Sequence, residues 1–190
     1  MSSRRSPLAM AVLALVTEAP MHAYRMQQLI KERHKDDVIN VAQRNSIYQT
    51  IDRLHRDGLI VVRETSREEN RPERTVYEIT EPGRETLREW MHTMLSTPAR
   101  EFPEFPAALA FLPIIPVAEA LEALRSRQET LAGRVAAAKA EMKEASKFLP
   151  RLFLVEAELQ VAVDSAELEF VRSLVDDLAD GRLTWDLERA

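Results

Sequence analysis

Gln43-Arg44-Asn45-Ser46-Ile47-Tyr48-Gln49-Thr50-Ile51-Asp52-Arg53-Leu54-His55-Arg56-Asp57-Gly58-Leu59-Ile60-Val61-Val62 changes its hydrophobic period at the glycine. Before Gly58, apolar residues recur at helical spacing, with Ile47, Ile51 and Leu54 on one stripe and Asn45, Gln49, Asp52, Arg53 and Arg56 opposite. This predicts a helix over 43–57 that ends at Gly58, a residue suited to a left-handed cap. After Gly58 the run 59–65 is rich in β-branched residues, and 75–80 is a second such run. The almost wholly charged stretch between them, with Arg67, Arg71 and Arg74, predicts a two-stranded hairpin with a long polar tip.

Further helices flank this centre. Ser6-Pro7 starts one that runs through the apolar stretch to Glu18 and stops at Ala19-Pro20, proline being tolerated in a first turn. A second helix is expected over 23–34, with Met26, Leu29 and Ile30 inward. Glu81-Pro82-Gly83 leads into another, carrying Leu87, Trp90, Met91, Met94 and Leu95. Three helices, a hairpin and a helix give the order of a winged helix-turn-helix. Such a fold lays its third helix in the major groove of DNA. Gln43, Asn45 and Gln49 can pair with adenine and Arg44 or Arg53 with guanine, while Ser46 and Tyr48 complete the set facing DNA. Arg67, Arg71 and Arg74 of the wing would meet phosphate or the minor groove. The plain alternatives are a solvated helix face, a hairpin edge kept soluble by charge, and a core role for Tyr48.

The second half reads differently. Residues 98–116 hold five prolines and three phenylalanines, the pattern of a linker with one short helix over 107–112. From Val117 a seam of Leu121, Leu124, Gln128, Leu131, Val135, Ala138, Met142, Ala145 and Leu149 alternates steps of three and four. Such a seam runs for roughly four heptads. Pro150 interrupts it, and a last helix over 151–180 carries Leu152, Val155, Leu159, Val163, Ala166, Phe170, Leu174 and Leu178 before Gly181. The expected architecture is therefore mainly α. A winged helix-turn-helix with a two-stranded wing fills 1–97, a proline-rich linker 98–116, and an antiparallel pair of long helices, the dimerisation domain, 117–190.

A seam this long needs cover, and a second copy of the chain is the commonest cover. That would place Leu121, Leu124, Gln128, Leu131, Val135, Met142, Leu159, Val163, Phe170 and Leu174 at a homodimer interface, with Gln128 as a register device. The rival is that the seam packs on the final helix of its own chain. Trp90, Phe102, Phe105, Phe111 and Trp185 could line a pocket for a flat effector, or serve as satellite core.

The chain also resembles the PadR family of transcriptional regulators. The resemblance is carried by Ala23-Tyr24, by Ser46 to Leu54 with Asp57-Gly58-Leu59-Ile60, and by Arg74-Thr75-Val76-Tyr77-Glu78-Ile79-Thr80-Glu81-Pro82-Gly83-Arg84. It is close over residues 8–95. Beyond them it is one of character, nearer to members with a long C-terminal part like that of virulence activators. Two positions depart from the family pattern: Ala23 stands where glycine is usual, and Arg44-Asn45 where a small residue is common. Contacts at the start of the third helix are therefore this chain's own. The resemblance implies a homodimer on a partly palindromic operator, usually repressing, clamped by its C-terminal helices. It further implies small, often aromatic or phenolic, effectors bound where those helices meet the winged domain.

Composition narrows the other classes. The 190 residues carry a net charge of −5, yet residues 1–97 hold 15 basic and 14 acidic side chains against 11 and 17 in 98–190. The acidity thus lies away from the expected DNA-binding half. With no cysteine and four glycines, thiolate metal sites and phosphate-cradling loops are excluded. The histidines at 22, 34, 55 and 92 lack ligand spacing. No nucleophile–base pair stands out, so an enzyme, a cofactor and a metal are not expected. Arg4-Arg5 before the apolar stretch imitates a twin-arginine signal, but Glu18 follows and a buried first helix explains it better. The stretch is also short for a membrane span, and a cytoplasmic location is expected. The rival function is a winged-helix module that binds protein and not DNA sequence.

Overall fold

The computed structural model describes residues 5–41, 44–66 and 74–186, with side chains described for all of these but 37, 44, 45, 66 and 74. The chain divides into two compact units, Met1–Arg100 and Glu101–Ala190.

The first unit is built around α1 (Pro7–Glu18), capped by the Ser6 hydroxyl, which accepts from the Ala9 amide at 3.1 Å. Ala9, Ala11, Val12, Leu13, Leu15 and Val16 are all buried, so this helix is apolar on nearly every side and forms the unit's centre. Helix α2 (Ala23–Glu32) turns Met26, Leu29 and Ile30 inward. It stops short of His34, which takes a left-handed conformation (φ 52°) before a 3₁₀ turn at Lys35–Asp37. Arg33 at the end of α2 grips Glu18 at the end of α1 through two hydrogen bonds of 2.6 and 2.7 Å. Those bonds hold the Glu18 carboxyl below its usual range.

Helix α3 (Arg44–Arg56) buries Ile47, Thr50, Ile51 and Leu54. Its end is fixed by Gly58 (φ +72°), whose amide bonds to His55 O while the Leu59 amide bonds to Leu54 O. That is a Schellman closure, with Leu54 and Leu59 both buried beside it. Strands β2 (Ile60–Ser66) and β3 (Arg74–Ile79) form the expected hairpin, with Arg63 as the extra residue where the register shifts between Val62 and Glu64. The sheet also has a third strand not anticipated from sequence, β1 (Met21–His22), pairing antiparallel with β3 to give the order β1-β3-β2. Helix α4 (Glu81–Ser96) is capped by Thr80, whose hydroxyl accepts from the Gly83 amide and donates to Gly58 O. The Thr80 amide bonds to Leu59 O at 3.1 Å. The end of α3 and the start of α4 are thereby joined into one hydrogen-bonded knot.

The second unit takes in most of the proline-rich segment. Helix α5 (Glu104–Ala110) starts three residues before the expected position, because Pro106 falls in its first turn, where proline is tolerated. Helices α6 (Val117–Ala145) and α7 (Val155–Ala179) form an antiparallel hairpin, with a 3₁₀ turn at Arg151–Phe153 between them. Their shared core holds Leu124, Leu131, Val135, Leu168, Val171, Val175 and Leu178, with Phe105 and Trp185 packed at its margin. One charge is buried there: Asp164, 7% exposed, accepts from Gln160 Nε2 at 2.9 Å and pairs with Arg134 Nη2 at 3.2 Å.

Removing only the arginine leaves that carboxylate uncompensated. Arg134→Met is expected to destabilise the hairpin by about 1–2 kcal/mol, less than a fully buried pair because Arg134 itself is largely exposed. Asp164→Leu is expected to be neutral or stabilising. Urea denaturation of the two variants compares them, and a greater loss for Asp164→Leu would contradict this account.

Candidate nucleic-acid interface

Because Ile47, Ile51 and Leu54 fasten α3 to the core, Tyr48, Gln49, Asp52, His55 and Arg56 on its other side face solvent. Gln49, Asp52, His55 and Arg56 together line an open depression. Amide, carboxylate and guanidinium groups in one row suit base edges: Gln to adenine, Arg to guanine, Asp to the amino group of cytosine. Arg53 is half-buried, and its Nε is buried and, among the described residues, has no hydrogen-bond partner. That is a desolvation cost in the free protein. Ser46 is half-buried. Arg44 and Asn45 lie in the first turn of α3, and Arg74 opens β3, all three without described side chains. Gln43, Arg67 and Arg71 lie outside the described residues.

Several polar aromatics of this unit carried no periodic signal in the sequence. The His55 ring meets Tyr77 edge-on at 6.3 Å. Burial, and then the nearby Asp52 carboxylate, push the Tyr77 phenol above its usual range, so it stays protonated and can donate. At the start of α2 the exposed Tyr24 stacks with His22, rings 6.3 Å apart, and His22 Nδ1 accepts from the Arg25 amide as the helix cap.

The residues expected to bind an effector are divided between the two units. Trp90 is buried in the core of the first unit. In the second unit Phe102 and Phe111 are exposed, and Trp185 Nε1 donates to Ile115 O at 2.9 Å. Of the five, Phe105 lines a cleft, a space of ≈ 700 Å³ that opens among α5, α6 and α7. Phe170, Arg127 and Glu167 share that cleft. Helical spacing points Phe170 towards a dimer partner, and it gives Arg127 and Glu167 no distinguishing mark.

The two long helices correct the expected seam. Leu124, Leu131 and Val135 are buried against α7 of the same chain, and Leu121, Gln128 and Met142 are half-buried beside them. Cover comes from within the chain. Leu174 is likewise drawn into this core. Leu159, Val163 and Phe170 lie on the opposite side of α7 and are exposed, as are Leu152 and Val155.

The first unit, with its exposed third helix and antiparallel hairpin, is a winged helix-turn-helix. Residues 12–89 match the Transcriptional regulator PadR-like family, so this unit is similar to a PadR-like domain. Solved structures of similar fold span nearly the whole chain. Bacillus subtilis PadR in complex with operator DNA has a TM-score of 0.69 and 18% identity, over 91% of this chain and 99% of that one. Bacillus subtilis PadR in complex with p-coumaric acid gives 0.72 and 15%, over 90% and 98%. The PadR-like transcriptional regulator BC1756 from Bacillus cereus gives 0.62 and 16%, over 92% and 99%. At these identities the likeness is one of fold. No curated protein matches the sequence. Among the described residues, no helix is long and apolar enough to cross a membrane, and no group of three His, Cys, Asp or Glu is placed to hold a metal.

Proposed function

We propose that the chain is a dimeric, cytoplasmic regulator of transcription that binds a partly palindromic operator through α3 and the wing, represses, and is released by a small effector. The observation that carries this reading is the α3 face. Gln49, Asp52, His55 and Arg56 stand in solvent on a helix whose other side and C-terminal end are fastened by buried packing and a glycine cap. A rigid helix with hydrogen-bonding groups in a row is what a major groove can read. The PadR-like match and the likeness to a PadR held on operator DNA support it. The apolar outer side of α7 supports the dimer, since a contiguous patch of this kind is uncommon on a monomer.

A dimer sets two reading helices about one DNA turn apart, ~34 Å. An effector releases DNA if it binds more tightly to a form with another spacing. The resemblance points to aromatic effectors, and the likeness to a PadR bound to p-coumaric acid supports a ligand-responsive protein.

Gel-shift titration with the DNA upstream of the chain's own gene tests the reading. Affinity is expected to fall steeply as salt rises, because phosphate contacts release counterions. Gln49→Ala and Arg53→Ala are expected to relax base preference by about 1–3 kcal/mol per lost bidentate contact, whereas Arg71→Ala weakens all sequences alike. No shift at low salt would favour a protein-interaction module instead.

A further inference from the structure

We propose that the cleft among α5, α6 and α7 binds a lipophilic organic cation, an aromatic ammonium or phosphonium, in preference to an aromatic carboxylate. This names the chemical class of the effector in the function proposed above, and as an account of regulation it rests on that reading.

The space suits a small molecule. Its ≈ 700 Å³ lies within the range of about 300–1,000 Å³ usual for ligand sites. Phe105, Leu109, Val163 and Phe170 give it apolar walls. The charges decide which ligand fits them. Arg127 is the one cation among the lining residues, and it is already engaged. Its Nε bonds to Glu167 Oε1 at 2.7 Å and its Nη2 to the same oxygen at 2.5 Å. The guanidinium also lies 3.7 Å over the Phe105 ring. Glu101 and Glu104 line the same space, and among the described residues neither has an ion-pair partner. With Arg127 and Glu167 paired, Glu101 and Glu104 give the lining a net negative charge, carried by carboxylates at its solvent-exposed rim.

An aromatic carboxylate entering here would have to displace Glu167 from Arg127 while facing both free glutamates. A cation meets neither obstacle. Arg127 over Phe105 shows that these walls accept a cation against a ring face, and Phe170, half exposed, offers another ring. The cleft also shares Val163 and Phe170 with the outer side of α7, so an occupant would sit at the seam of the proposed dimer.

The test uses two ions of nearly the same size and shape and opposite charge. The full chain is titrated calorimetrically with tetraphenylphosphonium and with tetraphenylborate, and then with p-coumarate. The phosphonium is expected to bind at least about tenfold more tightly than either anion, a ratio equivalent to about 1.4 kcal/mol. Glu101→Gln combined with Glu104→Gln should weaken the phosphonium about tenfold. Arg127→Gln should strengthen it severalfold by leaving Glu167 uncompensated, a gain that loss of folding cannot imitate. Melting curves check each variant. Equal binding of the two ions, preference for either anion, or indifference of the phosphonium to the paired glutamine changes would overturn the proposal. A gel shift without ligand runs in parallel. A shift with no phosphonium binding removes only the effector class, whereas phosphonium binding with no shift removes the regulatory reading and leaves the binding site.

Discussion

Gly83→Ala is expected to cost the N-terminal unit about 3 kcal/mol or more, at the upper end for an overpacked site. For a unit of this size that corresponds to a melting temperature lower by roughly 10–25 °C. The cause is space, not backbone conformation. A Cβ at position 83 would lie 2.0 Å from Leu59 O, 3.0 Å from Leu59 C and 2.9 Å from Ile79 Cγ1. Leu59 O cannot retreat, because it accepts from the Thr80 amide at 3.1 Å and belongs to the residue that closes the Schellman cap of α3. Relief of the clash would therefore break the knot that holds the end of α3 to the start of α4, and the reading helix would lose its fixed position. Gly133→Ala supplies the internal control. That glycine is in α6, and a Cβ added there would meet nothing within 4 Å, so alanine should stabilise the second unit by about 0.5–1 kcal/mol. Differential scanning calorimetry on the two variants reads opposite signs for one chemical change. A Gly83→Ala protein that melts like the parent would remove the close-approach account.

Where the sequence was readable, local chemistry was sufficient. Ile47, Ile51 and Leu54 with Gly58 define α3 and its end within a dozen residues, and the structure keeps all four in those roles. Strand β1 was not readable, because two residues have no period and Met21–His22 is a strand only through its pairing with Tyr77 and Val76. Helix α7 shows a subtler limit. Its residues 155, 159, 163, 166 and 170 make one apolar stripe, and 161, 164, 168, 171, 175 and 178 make another on the far side. The first is wholly uncharged while the second contains Asp164, so pattern favoured the first. The structure buries the second because Gln160 and Arg134 satisfy that carboxylate, and Arg134 stands on another helix. The cleft was hidden for the same reason: Arg127 and Glu167 are 40 residues apart.

The stripe left outside gives the other large effect. Leu159 is 65% exposed and Val163 52% exposed, so in an isolated chain Leu159→Asp with Val163→Asp should alter stability by no more than about 0.5 kcal/mol per site. If the outer side of α7 is the dimer surface, the same changes bury unpaired carboxylates at the interface and the dimer comes apart. Operator affinity then falls about 10²–10⁴-fold, because the second half-site is no longer held at high effective concentration by the first contact. The comparison that isolates this effect is Leu131→Ala. That side chain is buried inside the hairpin, and its loss should cost about 2–5 kcal/mol of folding stability. Sedimentation velocity should find the double aspartate variant monomeric with its helix content intact. Dimers that persist in that variant, with operator binding like the parent, would move the interface elsewhere on the chain.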